Sequence, residues 1–101
     1  MIFRRPYRDL IRRQLDLFVE EHGALFAEAH EALRVYHDAE RDEAEERYGD
    51  YQDVLDRAAG HLADIRDAYA ETLEDPEPYR AEFERTVTRR FPQLGDALRE
   101  I

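Results

Sequence analysis

Lysine, serine, asparagine, cysteine and tryptophan are all absent from this chain of 101 residues. Without cysteine there is no disulfide, no thiolate metal site and no thiol nucleophile. Besides tyrosine, the conventional hydroxyl nucleophiles reduce to Thr72, Thr86 and Thr88, and none sits in a glycine-rich turn or beside a histidine. The glycines Gly23, Gly49, Gly60 and Gly95 are scattered, which excludes a phosphate-cradling loop and a dinucleotide fingerprint. Apolar runs stop at three or four residues, as over 17–19 and 24–27, far short of a membrane span. No apolar run of seven or more follows the basic start, so no secretory leader is expected. These absences predict a non-enzymatic, cytoplasmic protein with no cofactor.

What the chain has is charge and helical periodicity. Charged residues make up 40% of it, and 25 acids against 15 arginines leave a formal charge of -10. That balance favours solubility and disfavours general nucleic-acid affinity. A halophile's acidic surface has the same composition. The length predicts a single helical domain over 1–101.

The apolar residues Ile11, Leu15 and Phe18, and then, two turns on, Leu25, Ala29, Ala32 or Leu33, and Tyr36, recur at three- and four-residue steps, the spacing of one helix face. Pro6 suits a helix start. Over 37–47 only Ala39 and Ala44 are apolar, which reads as a solvated helical tip. Gly49-Asp50 reads as a stop and restart, glycine ending one helix and aspartate capping the next; the alternative is a helix that runs straight through Gly49 at a cost of about 1 kcal/mol. A second stripe follows at Tyr51, Val54, Leu55, Ala58, Leu62, Ile65, Tyr69 and Leu73, until Asp75-Pro76-Glu77-Pro78 interrupts it. Tyr79, Phe83, Val87 and Phe91 form a third, and Leu94 and Leu98 a last short turn after Pro92.

The expected fold is therefore all-α: a long antiparallel hairpin of helices over about 7–48 and 50–74, then a third helix over about 77–91 after a proline elbow. A turn at Gly49 sets Leu33 against Ile65 and Leu25 against Leu73, and brings Phe83 and Val87 to Leu15 and Ile11. A two-layer hairpin leaves one side open, so either a second copy or a folded-back third helix must cover it. Homodimerisation is the preferred expectation and a compact three-helix monomer its rival.

Two site types deserve testing. Carboxylate-rich bundles hold metals through Glu-x-x-His pairs, but Val19, Ala27, Arg34 and Ala58 precede His22, His30, His37 and His61 by three residues. No metal site is expected; a bundle using His22, His30 or His37 with nearby glutamates is the alternative. His22, on the apolar stripe, is expected to fix register. Tyr36, Tyr48, Tyr51 and Tyr69 are expected at the core edge with wet hydroxyls. The second type is an interaction surface at the basic start: Arg4, Arg5, Arg8, Arg12 and Arg13, with the apolar Ile11, Leu15 and Phe18. Eight acids stand against two arginines over 38–53, so an antiparallel dimer sets each basic start over the other acidic tip. The expected function is an interaction or assembly module pairing with itself. An acidic protein partner is the next choice; nucleic acid and membrane are disfavoured.

Overall fold

The computed structural model describes residues 6–101. Five helices and no strand make up the described residues: α1 (Arg8–Glu21), α2 (Gly23–Asp38), α3 (Ala44–Ala70), α4 (Glu77–Arg90) and α5 (Pro92–Arg99). The all-α bundle expected from periodicity is present. Its helix boundaries and pairings differ from the hairpin that stripe matching produced.

The opening rod is two helices. His22, at φ -119° and ψ 31°, interrupts it just before Gly23. Glycine makes a helix interior about 1 kcal/mol poorer than alanine, and the two halves bury against different partners, α1 on α4 and α2 on α3. The second difference is the turn. Asp38 ends α2, Ala39 is extended, and α3 restarts at Ala44 with Glu45 and Glu46 in its first turn, where acids favour the helix dipole. Gly49 and Asp50 lie inside α3. Over 39–43 Ala39 is the one apolar side chain, too small to hold a helix, whereas Tyr51, Val54 and Leu55 are buried and hold α3 across Gly49.

Moving the turn moves the register. His22 stacks on His61 with ring centroids 4.3 Å apart, Glu28 pairs with Arg57, and Tyr36 packs on Tyr48 at 5.1 Å. Each α2 residue thus faces an α3 position about fourteen residues nearer the α3 start than expected, about four turns at ~3.6 residues per turn. A near-whole number of turns returns the same stripe to the same face, so periodicity alone could not separate the two registers.

The second half of α3 carries the core. Ile11, Leu15 and Phe18 from α1, Leu62 from α3, Tyr79, Phe83 and Val87 from α4, and Leu98 from α5 are essentially inaccessible to solvent. Pro76 caps α4, with Pro78 in its first turn, and Pro92 starts α5, positions where a missing N–H is harmless. The chain therefore closes this part of the bundle itself, by folding α4 and α5 back. At the far end Tyr7 takes a left-handed backbone, φ 70°, unusual for a bulky residue. Its ring meets Tyr69 and Tyr79 edge-on at 6.3 and 5.4 Å, and those contacts offset the strain.

No such closure reaches α2, which has no fully buried residue. Together with the start of α3 it projects as a two-helix arm. The molecule measures 55 × 26 × 21 Å, with a radius of gyration of 15.7 Å, against ~13 Å for a compact chain of this length.

Candidate interaction surface

The basic start and the apolar residues assigned to it separate in the structure. Ile11, Leu15 and Phe18 are fully enclosed by this chain's own core, so their surface is used internally. Arg8, Arg12 and Arg13 are exposed on α1, and Arg12 is held loosely by Asp9 at 3.4 Å. Arg4 and Arg5 lie outside the described residues. α1 starts beside Tyr69 and Tyr79, at the opposite end of α3 from the acidic tip.

The histidines do not assemble a metal site: among the described residues no three His, Cys, Asp or Glu side chains are placed to hold an ion. His22 lies between two aromatic neighbours, Phe18 at 5.2 Å and His61 at 4.3 Å, where it fastens the α1–α2 break to α3. His30 and His37 are exposed on α2. The tyrosines divide: Tyr36, Tyr48 and Tyr51 form a row near the arm tip, and Tyr69 joins Tyr7 and Tyr79 at the other end. Burial, helped by Tyr48, pushes the Tyr51 hydroxyl above its ordinary pKa.

The arm has two unlike sides. On one, Glu28, Glu31, Asp50 and Asp53 with Arg47 and Arg57 line an open, charged furrow. Its charges are mostly paired along the surface: Arg57 with Glu28, Arg47 with Asp50 at 3.1 Å, and Arg34 with Glu31 and Asp38. The Arg34 hydrogen bond holds the Glu31 carboxyl below its usual range. Exposed pairs of this kind contribute little stability, about 0–1 kcal/mol each.

The other side is a groove of about 200 Å³ between α2, α3 and the start of α5. Leu25, Phe26 and Ala29 form one wall, Tyr51, Leu55 and Ala58 the second, and Phe91, Gln93 and Leu94 close the base. Among the described residues, no charged one lines it. Phe26 sits between Phe18 and Phe91, at 5.7 and 5.4 Å, so the base of the groove is anchored to the core. Helical spacing continues the same side of α2 through His30, Leu33 and His37, and that of α3 through Tyr48 and Gln52. Gln52 donates to the Tyr48 hydroxyl at 2.8 Å, leaving that 44%-exposed ring fixed in place. A groove of this size is below the ~300–1,000 Å³ of small-molecule sites. It suits one or two inserted side chains.

The inward stripe of α2 does not by itself reveal this surface. The signal was present as a second stripe, Phe26, His30, Leu33 and His37, at four- and three-residue steps. No family model matches the chain, and no curated protein or solved structure is significantly similar to it.

Proposed function

We propose that this protein is a non-enzymatic interaction and assembly module that works through the uncharged side of the α2–α3 arm. The observation that carries the reading is the contrast in charge. In a chain that is 40% charged, one side of the arm presents the half-buried Leu25, Phe26 and Phe91 around a groove that, among the described residues, no charged side chain lines. Interface centres are depleted in charge and enriched in aromatic residues in the same way. The arm also departs from the compact shape that would hide those residues, although α4 and α5 bury comparable ones on the body.

Site-specific photo-cross-linking in cells tests the reading. A photoreactive residue replacing His30 or Gln52, beside the groove, is expected to give discrete protein adducts. The same residue replacing Arg34 or Asp53, on the charged side, is expected to give none. Adducts in equal yield from both sides, or from neither, would overturn the proposal.

A further inference from the structure

Resting on that reading of the arm, we infer that the occupant of the uncharged face is a second copy of this chain. The two arms lie antiparallel as a four-helix bundle, and each acidic tip meets the other copy's Arg89–Arg90 corner.

Electrostatics favours a like partner on this side alone. Two molecules of charge -10 repel, and docking by the charged furrow would set Glu28, Glu31, Asp50 and Asp53 against their own images. Docking by the groove side turns both furrows outward and covers a groove whose lining, among the described residues, is uncharged. A surface used by a two-fold pair must complement itself, and a groove flanked by the projecting ring of Tyr48 offers both a recess and a side chain to enter one.

Size approaches what a stable pair requires. The 16 residues of α2 extend about 24 Å, and two helices side by side span about 20 Å, a footprint of roughly 500 Å². Side chains corrugate it, and Phe91 and Gln93 extend it toward the ~800 Å² of accessible area per partner that a stable pair buries. Two such helix pairs face to face make a four-helix bundle.

Direction follows from charges the chain leaves unmatched. Asp42, Glu43, Glu45 and Glu46 are exposed at the tip, and none is in an ion pair among the described residues. A parallel pair would stack these tips. An antiparallel pair, offset by the length of the arm, sets each tip at the base of the other arm. That base adjoins the end of α4, because Phe91 packs on Phe26 at 5.4 Å. Arg90 there lies over Phe91 and reaches Asp16 at 2.7 Å; Arg89 has no ion-pair partner among the described residues. Rim charges of this kind set orientation more than affinity.

Sedimentation equilibrium on the full chain tests the inference. The wild-type protein is expected to associate reversibly to a dimer. His30→Glu combined with Gln93→Glu, both at exposed positions, is expected to weaken it by at least about tenfold with unchanged helix content by circular dichroism. Glu31→Gln, on the charged side, is expected to leave it unchanged. Arg89→Glu and Glu46→Arg are each expected to weaken pairing, and the double exchange to restore part of it. A wild-type chain monomeric up to about 1 mM, or a dimer indifferent to the groove-side pair, would overturn the inference. In that event, photo-adducts from His30 to a different protein would leave the interaction reading standing, and adducts to nothing would end both.

Discussion

Gly95 of α5 lies directly on Thr88 of α4: a Cβ placed at residue 95 would come within 2.6 Å of the Thr88 Cα and 2.8 Å of its Cβ. The obstacle is partly backbone, so a side-chain rotation cannot clear it. Gly95→Ala is expected to push α5 off α4 and cost about 1–3 kcal/mol, read as a lowered urea midpoint. Thr88→Ala in the same chain removes the hydroxyl and not the Cα, so it should restore only part of the loss.

Gly49 has the opposite expectation. It lies inside α3, and among the described residues nothing stands within 4 Å of a Cβ added there. Gly49→Ala should stabilise the protein by about 0.5–1 kcal/mol, through helix propensity and a less flexible unfolded chain. For a chain of about 100 residues that is a rise of a few degrees in melting temperature, about 4–8 °C per kcal/mol. A fall in melting temperature would mean that the helix does not continue through residue 49.

Asp67 sets an acid limb of the stability curve. The hydrogen bond from Arg66, at 2.9 Å, and then that from Arg80, at 2.6 Å, hold its carboxyl below the ordinary 3.8 despite partial desolvation. The folded state therefore binds that proton more weakly than the unfolded chain does. Its contribution is complete above the unfolded pKa and is lost as pH falls through the lower folded value. Arg66→Met, which also releases Glu84 at 3.2 Å, should destabilise most at neutral pH, with the deficit against wild type shrinking toward pH ~3 in urea titrations.

Tyr79 sets the alkaline limb. Its ring is fully enclosed, and burial raises its hydroxyl above the ordinary 10.0, against the opposing hydrogen bond to Gln14. The folded state holds that proton more tightly, so stability is whole below the unfolded pKa and falls as pH rises through the folded one. Tyr79→Phe should lose about 1 kcal/mol at neutral pH, for the 3.0 Å hydrogen bond to the Gln14 Oε1, and show a flatter alkaline decline. An equally steep decline in the variant would assign that limb to another group, Tyr51 being the next with a raised value.

Phe18→Ala probes the junction of body and arm. Phe18 is inaccessible and touches Phe26 and His22 at 5.7 and 5.2 Å. Its truncation should cost about 3–5 kcal/mol, and amide exchange in α2 should accelerate along with that in α1.

The sequence by itself determined the helical class, the proline boundaries and most of the core. Tyr79, Phe83, Val87, Leu94 and Leu98 are buried as their spacing required, because a repeat near 3.6 residues and a proline's missing N–H act locally. Tertiary structure decided the rest. Gly49 was the stronger local turn signal, yet the chain turns over 39–43, because burial of Tyr51, Val54 and Leu55 outweighs about 1 kcal/mol of glycine propensity. Leu25 faces Leu55 and Ala58 across the groove, and Leu73 lies past the end of α3 at Ala70, because registers separated by about four turns present the same stripe. The uncharged face likewise exists only once α5 brings Phe91 and Gln93 beside α2. Spacing fixes which side of a helix is apolar; which apolar sides meet, and which is left open, depends on contacts distant along the chain.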